Sequence, residues 1–126
     1  MKLITLILVA LFTITLNAAE KNINATPYNF VKLNIGHGKP HFVELGSEKC
    51  PACQVMGKTL YKAKEENPNY NISYVNISKD RSIAAELGIQ MIPTQIIYDA
   101  KGEEVYRHVG KLAEDELLEV FKKYQF

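Results

Sequence analysis

Two cysteines three positions apart, Cys50 and Cys53, are the only ones in the 126-residue chain, and they separate two segments of different period. Before them, Phe42-Val43-Glu44-Leu45 is a short apolar run with one embedded acid. After them, Val55, Met56, Leu60 and Ala63 recur at helical spacing and are expected to share one face. Pro51 suits the first position of that helix, where its missing N–H removes a donor that would lack a partner anyway. Cys50 then stands at the helix N-terminus, where unpaired backbone N–H groups and the helix dipole favour negative charge. A free thiol ionises near pH 8.5. In a Cys-x-x-Cys pair at such a position the value falls to roughly 3.5–7.5, which makes thiolate a major species.

Three chemistries compete for this pair. As a structural staple it closes a loop of about four residues, for which chain entropy supplies roughly 2 kcal/mol, against about 4.7 for a 100-residue loop. As a zinc site it lacks a second Cys-x-x-Cys, and His37 and His41 would have to supply the missing ligands from either side of Gly38-Lys39-Pro40. A redox dithiol needs nothing further, and it is the reading adopted. No metal site is assigned.

The chain opens with Met1-Lys2, runs uncharged and largely apolar from Leu3 to Leu16, and exits through Ala18-Ala19 to Glu20-Lys21. That is the order of a secretory signal peptide, expected over residues 1–19 with Asn17 at an unusual −3 position. The apolar run is shorter than the ~20 residues that cross a bilayer as a helix. Residues 20–126 then form one domain, large enough for a single core. Lys2 is the only charge removed, so 14 acidic residues face 14 basic ones. Zero net charge without a basic run argues against nucleic acid as a partner. The expected location is the periplasm or cell envelope, where disulfides persist.

Along the mature chain, Thr26-Pro27 is expected to open a short helix through Leu33, and Gly36 to Pro40 a turn. Strands are expected over His41–Leu45, Ile72–Ile77, Thr94–Tyr98 and Glu103–Val109, the last two joined by a Lys101-Gly102 turn. Helices fall over Pro51–Glu66, Arg81–Leu87 and Glu114–Tyr124, the last with Leu117, Leu118, Phe121 and Tyr124 on one face. The order is α/β with mixed strand directions.

These residues resemble the thioredoxin family, and its exported members most. The likeness runs from Lys39 to Phe126: an apolar strand, Cys-Pro-Ala-Cys at a helix start, Ile92-Pro93-Thr94 opening a strand, the Lys101-Gly102 hairpin, Val109-Gly110 and an amphipathic last helix. It implies a thioredoxin fold, with a central mixed sheet of about four strands flanked by helices. By the same likeness Cys50 attacks, Cys53 resolves, and Pro93 is a cis-proline lying against the disulfide. Pro51, Ala52, Ile92, Thr94 and Gly110 would meet the substrate chain. Glu44, six residues before Cys50, stands where thioredoxins usually carry a buried aspartate, and is expected to take the Cys53 proton.

Two departures are plain. Lys49 replaces the tryptophan that usually precedes the first cysteine, and the lysine that pairs with the buried acid in many thioredoxins is here Tyr74. The three histidines, His37, His41 and His108, are expected as surface or partly packed residues. The resemblance implies a monomeric thiol–disulfide oxidoreductase without a bound cofactor, acting on client proteins and recharged by a membrane-embedded thiol carrier. Ile92 and the short span from Ile77 to Pro93 favour a reductant over a disulfide-forming oxidant.

Overall fold

The computed structural model describes residues 21–126, so the expected signal peptide lies outside the described residues. The elements follow as α1 (Tyr28–Asn34), β1 (His41–Gly46), α2 (Pro51–Glu66), β2 (Ile72–Asn76), α3 (Arg81–Leu87), β3 (Thr94–Tyr98), β4 (Glu104–Val109) and α4 (Glu114–Lys123). The four strands form one sheet in the order β2-β1-β3-β4, with β1 parallel to β2 and the other neighbours antiparallel. This is the thioredoxin fold, an open mixed sheet flanked by four helices.

Every residue of β1 is buried. Its alternation divides the core in two. Phe42 points to the α2/α4 side and packs with Met56, Leu60, Ile72, Ile97, Leu117 and Phe121. Val43 and Leu45 point to the other side, against Tyr28 and Val31 of α1, Ile83 of α3, and Val75 and Ile96. A strand covered on both faces reads as a continuous apolar run, which is why His41–Leu45 was recognisable.

Local signals set the helix boundaries. Asp80 caps α3, its side chain accepting from Ser82 N at 3.0 Å, and Gly88 ends that helix in the left-handed region at φ 67°. Ala113 N donates to Glu116 Oε2 at 2.8 Å across the first turn of α4. The β3–β4 turn is held by Asp99 Oδ1, which accepts from Lys101 N and Glu103 N, and Gly102 supplies the φ of 92° that the turn requires.

Three expectations need correction. Val55 is 50 % exposed, because it lies one position, about 100° of rotation, from the Met56–Leu60–Ala63 stripe. Leu118 is likewise turned outward, while Leu117 and Phe121 are buried. His41 is fully buried in β1 on the α1/α3 side, its Nε2 2.8 Å from Ser73 Oγ, rather than at the surface or partly packed. The residues before α1 also have a defined role. Ala25 bridges Tyr74 at the β2 edge, Ile23 N donates to Gly57 O, and Asn22 Nδ2 donates to Gln54 O and Oε1, both at 3.1 Å. Asn22 occupies the space a side chain at position 57 would need: a Cβ there would fall 1.9 Å from its Oδ1.

The two α2 positions should therefore respond differently in urea unfolding of the oxidised protein. Leu60→Ala is expected to cost about 2–5 kcal/mol, and Val55→Ala to stay within roughly 0.5 kcal/mol.

Candidate active site

The carboxyl end of β1 delivers the chain into α2, and the cysteines lie at that junction. Cys50 is the N-cap of α2, its Sγ accepting from Cys53 N at 3.2 Å, with Pro51 at the first helical position. Cys50 and Cys53 form a disulfide. Cys50 is half-buried and Pro51 exposed, whereas Cys53 is buried. Geometry therefore presents Cys50 to an incoming partner and keeps Cys53 behind it. Cys53 borders a cleft of 190 Å³ lined also by Asn22, Ser47, Glu48, Gln54 and Tyr74.

Opposite the disulfide is the turn into β3. The Ile92–Pro93 peptide bond is cis, and Ile92 O lies 3.9 Å from Cys50 Sγ. Thr94 Oγ1 donates to Met91 O at 2.6 Å, which ties the start of β3 to the loop before it. Gly110 N donates to Pro93 O at 2.8 Å, so the end of β4 lies beside the same turn. At Gly110 φ is 101°, and a Cβ there would meet nothing within 4 Å. Glycine is favoured here by the backbone conformation, and the space beside it is open.

Beneath the disulfide the sheet carries a row of polar side chains. Tyr74, Glu44, Gln95 and His108 are successive cross-strand partners from β2 to β4 and share one face. The row lies between the apolar layer of Phe42 and Ile97 and the site itself. Gly46, two residues beyond Glu44 on that face, is the contact with α2: a Cβ on it would sit 3.2 Å from Cys53 Cβ and Sγ. Glu44 is thus one strand repeat, about 7 Å of backbone, from the residue beneath Cys53.

Glu44 is 1 % exposed, and Gln95 Nε2 donates to both its oxygens at 3.3 Å. Burial drives its carboxyl well above the ordinary carboxylate range, and the Gln95 hydrogen bond opposes that shift. The expected burial of Glu44 is therefore found, with an amide partner in place of a salt bridge. Burial first, then the Glu48 and Glu44 carboxylates, raise the Tyr74 hydroxyl as well. Lys49 is exposed.

The zinc alternative finds no support in the placement of the histidines. His41 begins β1 while the cysteines follow its end, about 16 Å further along the strand. His37 precedes Gly38, whose N donates to Ala100 O at that same remote end. Among the described residues no three His, Cys, Asp or Glu side chains converge to hold a metal.

Gln95 was not among the expected site residues, and His108 was expected only as a surface or partly packed residue. The signal was a lone glutamine inside the apolar run Thr94–Tyr98. Counting back and forth from the Lys101-Gly102 turn places it opposite His108.

A disulfide at a helix start, facing a proline turn and with a buried acid in the sheet beneath, defines a thioredoxin-like oxidoreductase. A thioredoxin-like domain family matches residues 28–125, and the chain belongs to that family. It is 28 % identical over 99 residues to a chloroplastic thioredoxin-like protein of Oryza sativa subsp. japonica, a match covering 76 % of this chain but 37 % of that protein's length. It is 30 % identical over 83 residues to a thioredoxin of Chlamydia muridarum, covering 66 % and 80 % of the two chains. In structure it resembles chloroplastic thioredoxin z, with a TM-score of 0.72 at 17 % identity over 83 % of this chain and 96 % of that one.

The raised Glu44 carboxyl has a consequence for stability. Below about pH 4.5 this acid is protonated both folded and unfolded, and contributes no pH dependence. As pH rises past that value, the unfolded chain releases the proton while the folded one retains it, so stability falls. Glu44→Gln, which stays neutral, should gain stability relative to the parent protein as pH rises from 4 to 8, measured by urea unfolding across that range.

Proposed function

We propose that this protein is an extracytoplasmic thiol–disulfide oxidoreductase that reduces disulfides in client proteins. The observation that carries this reading is the placement of Cys50 at the exposed N-terminus of α2, with Cys53 buried behind it above Glu44. Thiolate Cys50 attacks a client disulfide, forming a mixed disulfide and releasing one client sulfur as thiolate. Cys53 then gives its proton to Glu44, attacks Cys50 Sγ, and expels the second client sulfur. Two electrons leave the dithiol, and the Cys50–Cys53 disulfide remains.

Client backbone is expected to lie along Ile92, Pro93 and Thr94, with Gly110 leaving room beside it, and Pro51 and Ala52 flanking the attacked sulfur. The reducing direction is favoured by the direct passage from β2 through the single short helix α3 to Pro93, without an inserted domain. The Lys2-to-Ala19 pattern supports export, and a reductant in an oxidising compartment needs recharging, here by a membrane-embedded thiol carrier. The protein works as a monomer and needs no bound cofactor, since its own sulfurs carry the electrons.

Trapping tests the order of the cysteines. Cys53→Ala should accumulate mixed disulfides with clients, visible on non-reducing gels, and Cys50→Ala should accumulate few; equal trapping by both refutes the assignment. Glu44→Gln should leave the Cys50 attack intact and slow resolution by about 10- to 1000-fold in stopped-flow reduction of a model disulfide. For location, expression of the full chain followed by fractionation and N-terminal sequencing should find the protein outside the cytoplasm, beginning at Glu20.

A further inference from the structure

Gln95 has no exposed surface, and both ends of its amide are engaged. Nε2 donates to Gly110 O at 2.9 Å as well as to the Glu44 carboxylate, and Oε1 lies 2.7 Å from His108 Nδ1. Chemistry determines this orientation. Gly110 O can only accept, so the NH₂ must face it, and Oε1 is left for His108. Because Oε1 also only accepts, His108 must carry its proton on Nδ1. A neutral His108 is therefore the Nδ1–H tautomer, and a protonated ring would donate from the same atom. The donors run one way, from His108 to Gln95 and from Gln95 to Glu44 and Gly110.

We propose that Gln95, held in place by His108, is a positioning residue for the resolving step. It orients the Glu44 carboxylate through both oxygens and stabilises its ionised form, so that a proton acceptor is ready when Cys53 must attack. The inference rests on the reading of Glu44 as the base. A buried carboxylate without donors would remain protonated and could not accept a proton, and Gln95 opposes that outcome. The other groups facing Glu44 are few. Tyr74 faces it from β2 and Cys53 lies above it on α2, while the residues that α4 buries on this side, Leu117 and Phe121, carry no charge. His108 on β4 is two strands away, roughly 10 Å, with Gln95 between. The same amide also grips Gly110 O, and Gly110 N holds Pro93 O, so the base and the client-facing turn share one fastening.

The test is the pH profile of the resolving step in the purified protein, with the Cys50 attack measured in the same traces as an internal control. Gln95→Leu should displace the profile to higher pH and slow resolution at pH 7 about tenfold or more, a larger effect than on the attack step. His108→Phe should displace it in the same direction by less, and His108→Asn, which retains a donor, should restore much of it. Carbon-13 NMR titration of the Glu44 carboxyl should show it ionising at higher pH in Gln95→Leu and His108→Phe than in the parent protein. Should Gln95→Leu fail to fold, His108→Phe and its carboxyl titration decide the matter. Unchanged profiles and titrations in these variants, with Glu44→Gln still slow, would overturn the role of Gln95 and leave Glu44 as base. A Glu44→Gln variant that resolves at the parent rate would remove the base and the positioning role together.

Discussion

Every residue of the strand β1 is buried, and one of them is a carboxylic acid. Packing by α2 and α4 on one face and by α1 and α3 on the other makes its run of residues the centre of both cores. The same enclosure raises the proton affinity of Glu44, because an isolated charge in such surroundings is costly. Fold and chemistry therefore have one origin. The burial that holds the sheet together also holds the carboxyl of this glutamate well above the ordinary carboxylate range.

The site is graded across the sheet in three layers. Phe42 and Ile97 form an apolar layer, the row from Tyr74 to His108 a polar one, and Gly46 with the Pro93–Gly110 junction a layer nearly free of side chains. A glycine at position 46 lets α2 settle within contact distance of the strand, placing Cys53 over the polar row. The helix start keeps the other sulfur at the surface. One helix thus gives its two cysteines different environments, one half-buried at its start and one buried a turn further in.

Much of this was legible in the residues. The boundaries of α2, α3 and β3 coincide with punctuation that has a local cause, namely Pro51, Gly88 and the Ile92-Pro93-Thr94 segment. What sequence reasoning lost were relations between elements. His41 reads as a polar residue opening a strand, and only the packing of α1 and α3 shows it to be interior. Val55 looked like part of the apolar stripe of α2 because neighbouring positions on a helix differ by a rotation that composition does not reveal. Gln95 and His108 acquire meaning only when strand register brings them into line with Glu44, and register depends on the hairpin and the sheet order together. The residues before α1 have no periodicity, and their contacts with α2 and β2, including the fit of Asn22 over Gly57, are visible only in the assembled fold.

That fit of Asn22 over Gly57 has a mechanical side. Any pull on the sulfur of Cys50 would be felt first in the opening turn of α2, which that residue caps. The load would pass into the packing of Met56 and Leu60 with the rings of Phe42 and Phe121 on one side. On the other side it meets the Asn22–Gln54 hydrogen bonds and the Ile23–Gly57 bond, which strap the helix one to two turns behind the cysteine. The N-terminal segment thus serves as a guy-line for the first two turns of α2, the part of the helix that carries both cysteines.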